Sequence, residues 1–218
     1  MPLRTSSRCG WVLLALCLWF GQGWQQARSF VEKPLSPLRL PAKGTIEVAF
    51  SPQGGATAAI VRALEEARQK VLVQAYSFTS APIAKALVLA HRRGVDVRVI
   101  LDSRQTRSNI RYNPAVFLSD NGIPVRLDAA HAIAHNKVLV IDDKTVVTGS
   151  FNFTKAAEEK NAENLLILRE NPDLAALYRQ NWEYHWDHSE DFRAQTLAPP
   201  RSWQAVPSPL LDTSDEAP

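Results

Sequence analysis

The sequence predicts an α/β fold, a mixed and mostly parallel β-sheet flanked by helices on both faces. Three observations predict it. Strand-like and amphipathic helical segments alternate through the first half of the chain, the order that builds a layered sheet with covering helices. Val71–Phe78 is a continuous apolar-rich run, suited to a strand buried on both faces. Lys137–Ile141 and Thr145–Thr148 are two short strand patterns around the turn Asp142-Asp143-Lys144, so the second half carries a hairpin and the sheet is mixed.

Taken in order, residues 1–23 read as a secretory signal peptide. Arg4 and Arg8 precede the apolar run Trp11–Phe20, and Gly21-Gln22-Gly23 offers small residues for cleavage. The run is short for a membrane span. Leu16 before Cys17 is too large for a lipoprotein signal, so lipidation is rejected. Residues 24–43, with Pro34, Pro37 and Pro41, read as an extended leader.

The domain proper is expected over residues 44–193. Thr45–Phe50 alternates, with Ile46, Val48 and Phe50 on one face of a strand. Ala59, Ile60, Ala63, Leu64 and Ala67 recur at helical spacing opposite Arg62, Glu65, Glu66 and Arg68. Pro82 opens a second helix that Gly94 stops. Val95–Leu101 is the third strand, Asp102–Asn113 a polar basic loop, Pro114–Asp120 a short helix and Val125–Leu127 a short strand. After the hairpin come a strand, Asn164–Leu168, and a last helix opened by Pro172. Residues 194–218 hold five prolines, three acids and the single base Arg201, the composition of a disordered tail.

At 218 residues the chain is long enough for one sizeable core. Its formal charge of +3 falls to about +1 without Arg4 and Arg8, so net charge alone argues for no polyanionic partner. Cys9 and Cys17 both lie in the signal segment. The mature chain therefore has no thiol, which excludes disulfides and Cys-type zinc sites.

The chemistry concentrates between His135 and Asn164. Residues two apart on a strand face the same side, so His135 pairs with Lys137 and Ser150 with Asn152. A turn centred near Asp143 sets Lys137 opposite about Gly149, which brings the two pairs together. Lysine supplies charge for a phosphate oxygen, Ser and Asn donate neutral hydrogen bonds, and histidine serves as nucleophile or general acid. Glu163, on the following strand, is placed to orient the histidine. Asp142 is read as a structural turn residue. Outside this stretch, His131 lies four residues before His135, but on a loop with no further ligand cluster in view, so no metal is expected. His185 and His188 read as part of a packed helix with Trp182 and Trp186. Arg104, Arg107 and Arg111 are candidates to grip a nucleic-acid backbone without reading sequence.

The pattern H-x-K-x₄-D-x₆-G-S-x-N, complete here from His135 to Asn152, resembles the motif of the phospholipase D (HKD) superfamily. The similarity is closest to its small, single-motif, secreted bacterial endonucleases that resist EDTA. It runs from about Glu47 to Arg193 and includes Ala75-Tyr76-Ser77-Phe78-Thr79 and Asn161-Ala162-Glu163-Asn164. The resemblance implies the phospholipase D/nuclease fold and a phosphohistidine mechanism without a cofactor. It implies that Lys137, Ser150 and Asn152 bind phosphate and that Glu163 orients His135. One motif per chain implies a homodimer whose two copies of His135 share one site. The expected function is a periplasmic or secreted, metal-independent endonuclease of low specificity acting on DNA, with RNA as a second substrate. Two alternatives stand beside it: a phospholipase D acting on phosphatidyl headgroups, and a non-catalytic nucleic-acid-binding protein.

Overall fold

The computed structural model describes residues 37–108 and 113–192. The segments expected to be a signal peptide and a disordered tail, the first part of the expected leader, and Arg111 lie outside the described residues.

An eight-stranded sheet forms the centre. Its strands are β1 (Thr45–Ser51), β2 (Lys70–Ala75), β3 (Asp96–Asp102), β4 (Val125–Asp128), β5 (Lys137–Ile141), β6 (Thr145–Gly149), β7 (Glu163–Arg169) and β8 (Glu190–Asp191), in the spatial order β1-β7-β6-β5-β2-β3-β4-β8. The helices are α1 (Ala56–Glu66), α2 (Ala81–Arg92), α3 (Ser103–Ser108), α4 (Pro114–Asp120), α5 (Lys155–Glu159) and α6 (Pro172–His188).

The sheet is mixed, as expected, but parallel pairing is confined to β2-β3-β4 and the other five ladders are antiparallel. The physical reason is connection length. Helices α2 and α4 give the crossovers that parallel neighbours need, whereas the short turn Asp142–Lys144 can only return the chain antiparallel. The expected loop after β3 begins instead with the one-and-a-half-turn helix α3.

Alternation of side chains splits the core into two layers. Val71, Val73, Val97, Val99, Leu139, Val147, Leu165 and Ile167 pack under α1, α2 and α4. On the opposite face Leu72, Ile100, Val138, Val140 and Val146 pack against Ala175 and Trp182 of α6. The indole N–H of Trp182 donates to the Val73 carbonyl at 2.9 Å, so its one polar atom is satisfied in the core. Helix α6 covers only the middle of its face. Ile46, Val48 and Phe50 do share one side of β1, as their alternation predicts, but that side is open, with Phe50 67% exposed.

Candidate active site

The hairpin register, Leu139↔Val147 and Ile141↔Thr145, sets Lys137 level with Gly149. A second alignment, Ala75↔Lys137, places the start of β5 against the end of β2. Just before β5, Tyr76 N–H donates to the Asn136 carbonyl at 2.8 Å, and the exposed His135 ring lies 4.5 Å from the Tyr76 ring. Lys137 is buried, and among the described residues its Nζ meets only the His135 carbonyl at 2.7 Å and the face of Tyr76 at 5.0 Å. Burial pushes its ammonium down to about 8, against the upward pull of the Glu163 charge. A buried cation so thinly partnered gains most from an anion placed beside it.

Ser150 sits across from this pair. Its Oγ accepts from the Asn164 backbone N–H at 3.0 Å and from the Asn164 side-chain amide at 3.3 Å, which leaves the hydroxyl hydrogen available to donate. Gly149 is required here, since a Cβ would run into the Asn164 carbonyl. The Asn152 Oδ1 is buried without a hydrogen-bond partner. Phe151 and Phe153 on either side are fully buried, and the Phe153 carbonyl receives the N–H groups of Thr79 and Ser80 at 2.8 Å. The segment is thus pinned to the loop after β2. Glu163 opens β7 opposite Ser51, and its carboxylate accepts from Asn161 Nδ2 at 3.1 Å. Among the described residues no hydrogen bond joins Glu163 to His135.

Comparison with known proteins supplies the family. The family described as cardiolipin synthase, PLD-like domain, matches residues 60–186. A phospholipase D of Rickettsia typhi is 41% identical over 143 residues, 65% of this chain and 68% of that protein. The mitochondrial cardiolipin hydrolase of Mus musculus is 34% identical over 128 residues, 59% of this chain and 57% of that one. Among solved structures, the phospholipase D family member Nuc of Salmonella typhimurium has a TM-score of 0.66 at 39% identity, over 69% of this chain and 99% of that one. The chain belongs to the phospholipase D superfamily. It is a phosphodiester hydrolase of that superfamily, close to its small bacterial members.

Two acids of the superfamily motif region prove structural. Asp142, at φ 51°, accepts the backbone N–H groups of Arg68, Gln69 and Lys70 at 2.9, 2.8 and 3.0 Å. Burial would raise its pKa, but these three donors outweigh burial and lower it. Glu158 takes the N–H groups of Gly55 and Thr57 at 3.1 and 2.7 Å and so caps α1.

Of the basic candidates, Arg104 and Arg107 are exposed on α3. Arg107 is partly engaged, with Ser103 Oγ at 3.2 Å and Glu190 at 3.9 Å. Sequence reasoning assigned no role to Tyr76, Gln105 or Asn164. Gln105 Nε2 donates to the Tyr76 hydroxyl at 2.9 Å, which links α3 to the ring against His135. The only signal in the sequence was that Tyr76 and Asn164 fall within segments shared with the superfamily.

A second histidine cluster corrects the expectation that His131 has no ligand partners. Asp128 at the end of β4 meets His131 on the following loop and His185 and His188 on α6. Asp128 Oδ2 lies 2.8 Å from His185 Nδ1 and 3.4 Å from His188 Nε2, and Oδ1 lies 3.1 Å from His131 Nδ1. Burial acts to raise the Asp128 pKa, but hydrogen bonds with His185 and His131 and the charges of His131 and His188 hold it at about 2. Burial pushes the His185 imidazole below its usual value, against the pull of Asp128. His185 is packed as expected, but it packs against a carboxylate as well as against the core.

Proposed function

We propose that the chain is a metal-independent endonuclease of low sequence specificity, cutting DNA, and RNA as a second substrate, at a site shared across a homodimer. The observation that carries the reading is the grouping of buried Lys137 with exposed His135, exposed Ser150 and half-buried Asn152 at one end of the hairpin. One imidazole serves the group, and phosphoryl transfer through histidine needs two. In the proposed reaction a nitrogen of His135 attacks phosphorus. A P–N bond forms as the P–O bond to the leaving alcohol breaks, and His135 of the partner subunit protonates that oxygen. The same partner histidine then takes a proton from water. The water oxygen attacks phosphorus and the P–N bond breaks, restoring His135 and releasing the phosphomonoester. Lys137, Ser150 and Asn152 hold the phosphate oxygens, and Glu163 faces the partner's histidine or its own once the dimer forms.

The open face of β1 supports the dimer. Ile46, Val48 and Phe50 are exposed at 58%, 50% and 67%, and Phe50 pairs with Asn164, the residue that holds Ser150. An apolar patch that borders an incomplete site fits a second copy of the chain related by a two-fold axis. Arg104 and Arg107 on α3 add positive charge for a polyanion's backbone.

The second reading is phospholipase D activity on phosphatidyl headgroups. The names of the Rickettsia and mouse relatives favour it. Against it stands the cavity beside Tyr76, about 160 Å³ and lined partly by Thr79, Gln105, Thr106 and Asn113, small and polar for acyl chains. The N-terminal pattern of Arg4, Arg8 and Trp11–Phe20 supports export, and the mass of the protein recovered from cells tests it. The deciding assay offers the purified protein plasmid DNA and phosphatidylcholine vesicles, each with EDTA present. Nicked and linear plasmid is expected; headgroup release with intact plasmid would replace this reading with the second.

A further inference from the structure

We propose that Asp128, His131, His185 and His188 form a structural zinc site that clamps the loop carrying His135. Each residue presents one ligand atom, and all four atoms lie within 4.8 Å of one another. Zinc bonds of 2.0–2.1 Å set tetrahedral ligand atoms about 3.3 Å apart. Asp128 Oδ2 already stands 2.8 Å from His185 Nδ1, 3.4 Å from His188 Nε2 and 3.2 Å from His131 Nδ1. Only the imidazole-to-imidazole gaps are wide, and the widest must close by about 1.5 Å. His131 is exposed on a bend, the element of the four best able to move.

The ligand chemistry points to zinc. Three imidazoles and one carboxylate are a borderline nitrogen and oxygen set. Four protein ligands leave no open position, so the ion would be structural and take no part in the phosphoryl chemistry. Charge argues the same way. The Asp128 side chain is fully buried, and no lysine or arginine pairs with it among the described residues. A dication held by neutral imidazoles would compensate it. Groups outside the four hold the ligands in place. Ala130 N–H donates to Asp128 Oδ1 at 3.1 Å, and Ser189 Oγ donates to the His185 carbonyl at 2.6 Å.

The position gives the ion a task. The chain from β4 to β5 crosses the ends of β3 and β2, and His131 stands four residues before His135. Ala134 N–H, next to His135, is held by Asp102 Oδ2 at 2.9 Å. Zinc at Asp128 and His131 would fix the near end of this crossover to α6, while Asp102 fixes the far end. The inference holds whether the substrate is a nucleic acid or a lipid.

The test uses the full chain without a histidine tag, equilibrated with zinc chloride and freed of unbound metal by gel filtration. About one zinc per chain is expected, with a melting temperature raised by about 5–10 °C when free zinc is a hundredfold above Kd. Cobalt in place of zinc should give the intense visible bands of a tetrahedral site. His131→Ala and His188→Ala should each retain less than about a tenth of the zinc. The inference fails if the wild-type chain retains no zinc and melts at the same temperature with and without it, as a purely hydrogen-bonded Asp–His cluster would. It fails equally if both variants keep a full equivalent. Should a variant not fold, the wild-type measurement still decides.

Discussion

Two histidine groups lie at the two ends of one crossover loop, and they are built on opposite terms. At the β5 end, His135 is exposed, and among the described residues Lys137 is buried with few partners and Glu163 bonds to no histidine. At the β4 end, Asp128 is buried and already meets three imidazoles. The first group is thinly partnered among the described residues, which suits the proposed shared phosphate site. The second gathers three imidazoles around one carboxylate within its own chain and holds structure together. The contrast teaches that an incomplete set of partners marks the reactive end more clearly than the number of histidines does.

Substitutions should separate the two ends. His135→Asn is expected to lower cleavage by about 10³-fold or more while leaving the melting temperature within about 2 °C, because it removes a nucleophile whose exposed ring packs only along Tyr76 among the described residues. Cleavage at the wild-type rate would break the contrast at once. His185→Ala should do the reverse, with about 3 kcal/mol lost in urea unfolding because it strips a partner from a buried carboxylate. Residual activity per folded molecule should stay within about tenfold. Asp142→Ala should cost about 2 kcal/mol, since three backbone donors lose a charged acceptor, with cleavage by the folded protein intact.

pH sharpens the comparison further. The Lys137 pKa is depressed in the fold to about 8 from 10.5. Between those values the unfolded chain holds the extra proton, so stability should rise with pH across that window, and Lys137→Met should abolish the rise. The kcat/KM of the wild type should decline above about pH 8 as the phosphate-binding charge is lost. Asp142 gives a slope of the same sign, but at acid pH. Its folded pKa is lowered from 3.8, so its contribution is present above that value and is lost as pH falls below it. Acid unfolding curves of wild type and Asp142→Asn should therefore converge at low pH. The smallest effect is expected for Tyr76→Phe, which removes only the bond to Gln105 and should slow cleavage by about two- to tenfold.

The same contrast explains what could be read from the sequence. His135, Lys137, Ser150 and Asn152 lie within 18 consecutive residues, joined by strand spacing and one turn, so local rules bring them together. Asp142 was legible as structural because the turn demanded it, although its three donors on residues 68–70 were not. Asp128 and His185 are 57 residues apart; they meet only because α6 packs across the sheet, and no local period encodes that. The share of parallel pairing was overestimated because strand patterns carry no direction. The open side of β1 was missed because Ile46, Val48 and Phe50 alternate like any core-facing strand, and only the reach of α6 decides that they stay uncovered. Tyr76 sits in an apolar run whose pattern reports burial but not its contact with His135.

The shared site is the central claim, and mixing tests it most directly. Wild-type chain and His135→Asn chain are co-refolded in varying ratio at constant total protein, and cleavage is measured. If each site takes one histidine from each subunit, only wild-type pairs are active, and an equal mixture retains about a quarter of full activity. Half of full activity, falling in proportion to the wild-type fraction, would mean that each chain works alone and would contradict the account.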